Sequence, residues 1–185
     1  MIDATEARKG VTIELDGQLY SILDYQHIKV GRGSAQVRLR LRDIRAGHTI
    51  ERTFSAGDRF RRVRLEQRSA QYLYRDGDLF YFMDNETFEQ TPLTSEQLGD
   101  ALNYIKEGMS LTISRYGEEP VGIELPTTVE LMVTETGPSY KGDTSQAGTK
   151  PAVLETGVTI QVPYFISTGA MIRVDTRDGT YQERA

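Results

Sequence analysis

The chain has 185 residues, with 22 Lys+Arg against 27 Asp+Glu, two histidines and no cysteine. The lack of cysteine excludes disulfides, a thiolate metal site and a cysteine nucleophile, and it fits a reducing cytosol. No stretch approaches the roughly 20 apolar residues that cross a bilayer, and residues 1–9 are polar with no apolar run behind them. The chain therefore reads as soluble and cytoplasmic, with no membrane partner.

The net charge of −5 hides a gradient. Residues 1–64 carry 13 Lys+Arg and 8 Asp+Glu, residues 65–126 carry 4 and 12, and residues 127–185 carry 5 and 7. A basic, arginine-rich first third on an acidic remainder suggests one end that faces phosphate and a body that does not. The alternative is that these charges only solvate a small barrel. The density of Arg59, Arg61, Arg62 and Arg64 speaks against it.

In chain order, Val11, Ile13 and Leu15 alternate, Asp16-Gly17 supplies a turn, and Leu19, Tyr20, Ile22 and Leu23 return as a second strand. A hairpin follows with Arg32 at its tip, between Gly31 and Gly33. Behind it Val37, Leu39 and Leu41 alternate with Arg38, Arg40 and Arg42. The flanking glycines permit φ > 0 and a close approach of backbone to a partner. Taken alone, Lys29, Gly31, Arg32, Gly33 and Ser34 also fit an ordinary solvated turn. A turn at Ala46-Gly47 leads to a further strand, and the arginine-dense residues 55–64 read as an exit segment. About five short strands in about 60 residues make an SH3-like barrel.

A second unit opens near Leu65, with a hairpin around Asp76-Gly77. Thr94 and Gln97 have capping-box spacing, Leu98, Ala101, Leu102 and Ile105 recur at helical spacing, and Gly108 closes the segment. This predicts one helix, its apolar stripe facing the core. Strands follow at residues 110–116 and 120–125. A third unit starts near Thr127, where Val129, Leu131 and Val133 alternate. A polar stretch over residues 134–149 suits an exposed functional loop. Strands resume at residues 153–155, 158–162 and 171–174, and Asp178-Gly179 makes a last hairpin before Tyr181. The whole reads as mainly β: an SH3-like (KOW-like) barrel over 1–64, then OB-like barrels over 65–126 and 127–185. Residues 108–113 and 157–162 look like equivalent strands of a duplicated unit.

Catalytic chemistry finds no candidates. His27 and His48 have no carboxylate or second histidine at metal-ligand spacing. No P-loop, dinucleotide fingerprint or nucleophile elbow occurs. The acidic pairs Asp76/Asp78 and Glu118/Glu119 sit in turns, where solvation explains them. The reading is a non-enzyme without catalytic residues, cofactor or metal.

Over essentially its whole length the chain resembles bacterial elongation factor P. The resemblance rests on residues 84–90 (DNETFEQ), 141–144 (KGDT), 150–152 (KPA), 157–169 (GVTIQVPYFISTG) and 172–181 (IRVDTRDGTY). It implies three β-barrels in an L-shaped, tRNA-like outline. It implies binding to the 70S ribosome between the peptidyl and exit sites, and relief of stalling at consecutive prolines. The implied partners are ribosomal RNA and the CCA end and acceptor stem of peptidyl-tRNA, bound by a monomer. Arg32 would then be the tip nearest the reacting ends, supported by Lys29, Gly31, Gly33 and Ser34. Many members carry a modified lysine at that tip, and often a proline two residues before it; this chain has Arg32 and Val30, which rules out lysine-directed modification. Some arginine-tipped members are rhamnosylated and others act unmodified, so the resemblance leaves both states of Arg32 open and implies a modifying enzyme as a partner only for the first. Gly142, Asp143 and Thr144 would face the exit-site codon, and Tyr181 and Arg184 would approach the small subunit or tRNA. On the residues alone, the first three also fit a tight Asx turn, and Tyr181 a core aromatic beside a frayed terminus. Two other readings are an elongation-factor-P-like paralogue and a general single-stranded RNA-binding OB protein. The first usually has a longer tip loop, and the second calls for basic grooves with interleaved aromatics.

Overall fold

The computed structural model describes residues 1–28, 35–138 and 148–185. The chain is almost entirely β, arranged as three antiparallel sheets, each curled around its own core. No helix among the described residues is long and apolar enough to cross a membrane.

The first sheet has the order β1-β6-β2-β3-β4-β5. Its strands are β1 (Ile2–Asp3), β2 (Thr12–Leu15), β3 (Gln18–Ile28), β4 (Gln36–Asp43), β5 (Thr49–Ser55) and β6 (Arg59–Val63). The turn from β2 to β3 places Asp16 at φ 53° and Gly17 at φ 78°, the pair of left-handed residues that a two-residue hairpin requires. The alternation in β4 sends Val37, Leu39 and Leu41 into a core with Ile13, Ile22 and Phe60. Its arginines point away, with Arg38 and Arg40 exposed. Phe54 of β5 meets Phe60 of β6 edge-on with ring centres 4.8 Å apart, so the far ends of the sheet curl together.

The supposed exit segment is a correction. Arg59–Val63 is a strand that pairs with both β1 and β2. Its arginines stay in solvent while Phe60 and Val63 are buried between them. Arginine density hid a strand because two apolar side chains suffice to anchor five residues.

The second sheet comprises β7 (Glu66–Asp76), β8 (Leu79–Asp84), β9 (Gln90–Thr94), β10 (Ser110–Tyr116) and β11 (Glu119–Glu124), in the order β11-β10-β7-β8-β9. The expected helix is real at its start and shorter than the periodicity predicts. The capping box forms: the Gln97 amide donates to Thr94 Oγ1 at 3.3 Å, and the Thr94 amide donates to Gln97 Oε1 at 2.9 Å. The α-helix α1 (Ser95–Leu98) then stops, and a 3₁₀ turn, Gly99–Asn103, continues. Gly99 adopts φ 52°, ψ −129°, and the Arg42 guanidinium lies where its side chain would be. The apolar stripe is core all the same, since Leu98 and Ile105 are buried there.

The third sheet comprises β12 (Thr128–Thr136), β13 (Thr149–Leu154), β14 (Thr159–Pro163), β15 (Met171–Asp175) and β16 (Tyr181–Arg184), in the order β14-β13-β12-β15-β16. Counted within each sheet, the second and third share one topology: strand one is central, flanked by two and three on one side and by four and five on the other. The chain does contain a repeated arrangement, but β10 corresponds to β15, not to β14. The expected match of residues 108–113 with 157–162 therefore joined non-equivalent strands.

The sheets meet at two joints. At the first, Leu19, Val63 and Val121 form a small cluster with Ile44, Leu65 and Tyr116. Beside it Arg45 grips Glu119 with both arms, Nε to Oε1 at 2.7 Å and Nη2 to Oε2 at 2.8 Å. This pair raises Arg45 and lowers Glu119 from their ordinary pKa values, in each case mainly through the side-chain hydrogen bond between them. Glu119 is thus engaged in a joint and not merely solvated. At the second joint Tyr104 inserts into the core of the third sheet. Thr156 Oγ1 donates to the Asn103 carbonyl at 2.6 Å, and Lys106 pairs with Glu155 at 3.3 Å.

Candidate nucleic-acid interface

The long hairpin of β3 and β4 is the most extended feature of the basic sheet. Its ladder runs from Tyr20↔Asp43 to Ile28↔Gln36, with Leu23 as the extra residue at a bulge between Ile22 and Asp24. β5 supports β4 along its whole length, from Arg42↔Thr49 to Gln36↔Ser55. Near the far end Tyr25 meets His27 edge-on at 5.3 Å, and the Arg8 guanidinium lies 4.7 Å from the Tyr25 ring centre. The N-terminal segment thus braces the hairpin from the side. The residues expected at its tip, Lys29, Gly31, Arg32, Gly33 and Ser34, lie outside the described residues, as do Gly142, Asp143 and Thr144.

Of the expected contact residues, Tyr181 and Arg184 are described. Both lie on β16, where Tyr181 pairs with Val174 and Arg184 with Ile172. Tyr181 is half-buried against the third core, and Arg184 is exposed.

The basic character of the first sheet is partly spent inside it. Arg52 pairs with Asp16, Arg59 with Asp3 and Arg61 with Glu14, all at 3.0–3.2 Å, and Arg38 with Glu51 at 3.5 Å. Arg45 is taken up at the first joint. Among the described residues Arg40, Arg62 and Arg64 are exposed and have no ion-pair partner. Arg62 and Arg64 line an open cleft of about 300 Å³ where the first and second sheets meet, with Gln67, Ser114 and Glu124 on its other wall. With Arg8 and Lys9, which are also exposed and without an ion pair, these are the described cations of the first unit left open to solvent. Charge counting could not separate them from the others, because every pairing except a neighbour's depends on strand register.

Comparison with known proteins decides what carries this surface. Three family models tile the chain in order: the elongation factor P KOW-like domain over residues 3–60, the elongation factor P OB domain over 65–123, and the elongation factor P C-terminal model over 129–184. The chain is 54% identical over 185 residues to elongation factor P of Moorella thermoacetica, covering all of both chains. It is 51% identical to that of a Thermoanaerobacter species and 49% to that of Dictyoglomus thermophilum, again over all of each chain.

The chain belongs to the elongation factor P family.

It is a translation factor of that family, built on the fold its members share. Among solved structures it is similar to eukaryotic translation initiation factor 5A from Methanococcus jannaschii, with a TM-score of 0.51 over 66% of this chain and 90% of that one. At 21% identity that likeness concerns the fold.

Proposed function

We propose that this elongation factor P family member binds the 70S ribosome between the peptidyl and exit sites, as a monomer in the cytoplasm, and stimulates peptide-bond formation at consecutive prolines. The observation that carries the reading is the match of three family models in order along the chain, together with full-length relatives. On this reading residues 1–64, 65–126 and 127–185 act as three units in an L-shaped outline. The hairpin of β3 and β4 carries Arg32 toward the CCA end of peptidyl-tRNA, with Lys29, Gly31, Gly33 and Ser34 shaping its approach.

The mechanism asks for no catalytic group from the protein. Proline reacts poorly because its ring fixes φ and restricts its neighbour. A factor that holds peptidyl-tRNA in a reactive geometry lowers the entropic cost of a reaction whose centre the ribosome supplies. A guanidinium suits such holding, since it is always charged and offers five donors to phosphate and base edges. Exposed Arg40, Arg62 and Arg64 provide the sequence-independent attraction to ribosomal RNA or the acceptor stem. Gly142, Asp143 and Thr144 face the exit-site codon, and Arg184 with Tyr181 lies toward the small subunit.

The test is competition for the site. Purified ribosomes carrying peptidyl-tRNA and an empty exit site should bind the protein, and deacylated tRNA in the exit site should displace it. Arg32→Ala should weaken the complex formed with peptidyl-tRNA more than the complex formed without it. Binding indifferent to exit-site tRNA would contradict the placement.

A further inference from the structure

One turn occurs three times in this chain with the same wiring. It begins at a buried aspartate that ends a strand: Asp43, Asp84 and Asp175. In each, carboxylate oxygen Oδ1 accepts the amide two residues on, from Arg45, Glu86 and Arg177, at 2.8–2.9 Å. The aspartate carbonyl accepts the amide four residues on, from Gly47, Phe88 and Gly179, at 2.8–2.9 Å. The aspartate amide donates to the carbonyl five residues on, at His48, Glu89 and Thr180. The fourth residue after the aspartate must then adopt a left-handed backbone, with φ 75° at Gly47, 60° at Phe88 and 74° at Gly179.

Two of the three turns use glycine there, and both dock onto the second unit. A side chain at Gly47 would strike the Glu96 carbonyl, and one at Gly179 would strike the Tyr104 hydroxyl. The third turn belongs to the second unit itself. There the left-handed position holds a phenylalanine, a conformation that a bulky L-residue adopts only against steric strain. Phe88 is 69% exposed. The turn around it is firmly built: Asn85 donates to Ser69 Oγ at 2.7 Å and its amide to the Ser69 carbonyl at 3.0 Å, while Glu86 and Thr87 donate their amides to Asp84. A strained, exposed aromatic on a rigid base, where the two turns of the same wiring carry glycine, points to selection for contact rather than for stability.

We propose that the turn of residues 84–89 is a docking point for a partner outside the chain, with Phe88 as the anchor, and that the partner is a lysine- or arginine-rich protein surface on the ribosome. The chemistry of the rim selects that occupant. Glu86 and Glu89 flank Phe88 in sequence and are exposed, and the small cleft beside Glu89 sets Glu66 and Glu118 against Arg68 and Arg115, whose charges are taken up by Asp84 and Glu118. The unit as a whole carries 12 Asp+Glu against 4 Lys+Arg. Such a rim repels phosphate and complements a basic protein, whose apolar stems would cover the ring.

This rests on the ribosome-binding reading, and the experiment separates the two. Three variants divide ring from backbone: Phe88→Tyr keeps the ring, Phe88→Ala loses it and keeps the strain, and Phe88→Asn loses it and relieves the strain. With purified ribosomes, Phe88→Ala and Phe88→Asn should each bind about tenfold more weakly than wild type, as loss of an interface anchor does, and Phe88→Tyr should bind like wild type. Phe88→Asn should melt about 2–4 °C above Phe88→Ala. Benzoylphenylalanine placed at position 88 should cross-link to a ribosomal protein. Wild-type affinity in Phe88→Ala, or a cross-link to ribosomal RNA, would overturn this inference alone. Ribosomes that fail to bind the wild type would overturn the translation reading and this inference with it.

Discussion

The two joints hold the chain by different physics. At the first, a small apolar cluster is supplemented by the Arg45–Glu119 fork, whose side chains remain one-third or more exposed. At the second, one aromatic residue of the second unit is absorbed into the neighbour's core, and the polar contacts sit around it. The difference teaches that a multi-unit chain can fix its neighbours either by a screened, tunable contact or by sharing a core. On the functional reading, the tunable joint lies next to the unit that carries Arg32, and the shared core sets the spacing between the acidic second unit and the C-terminal one.

The comparison breaks most visibly at Tyr104. Tyr104→Ala removes a nearly buried aromatic from a joint core, and should destabilise the protein by about 3–5 kcal/mol in urea denaturation. Val121→Ala empties a smaller site in the first joint and should cost about 2 kcal/mol by the same measurement. Glu119→Gln should cost about 1 kcal/mol or less, because the pair is partly solvated. It should nevertheless broaden the distance distribution between spin labels on the first and second units, an effect that high salt reproduces in the wild type. Labels across the second joint should not respond to salt in this way.

Acid sharpens the contrast further. Asp175, which wires the Gly179 turn at the second joint, is held down to about 2, first by the Arg177 side chain and then by the Arg177 amide. A carboxylate with a depressed folded-state pKa stabilises fully above its unfolded value, near 3.9, and loses that contribution as pH falls through about 2. Glu119 is lowered in the same direction, so its contribution also falls away in acid and not in base. Asp175→Asn should therefore flatten the pH dependence of denaturation below about pH 4, where the wild type grows weaker.

Much of this was legible before any coordinates. Asp16-Gly17, Asp76-Gly77 and Asp178-Gly179 announced turns because left-handed backbone needs residues of that kind, and Val129, Leu131 and Val133 announced a strand by period. The strand Arg59–Val63 was not legible, since its outward arginines outnumber the two residues that bury it. The helix ended early because Gly99 packs against Arg42, 57 residues earlier in the chain, a contact that periodicity cannot see. Arg45 and Glu119 are likewise 74 residues apart. The triple turn was hidden for a related reason: its signature is a bonding pattern around an aspartate, and Phe88 occupies the position where the other two copies show glycine.

The most direct test of the central claim is synthesis of a peptide with three consecutive prolines on purified ribosomes, with and without this protein and with its Arg32→Ala variant. The account predicts that wild-type protein speeds synthesis through the prolines, leaves a proline-free template unchanged, and loses its effect when Arg32 is replaced. If natively purified wild-type protein gave no acceleration, or if Arg32→Ala accelerated as well as wild type, the account would be contradicted.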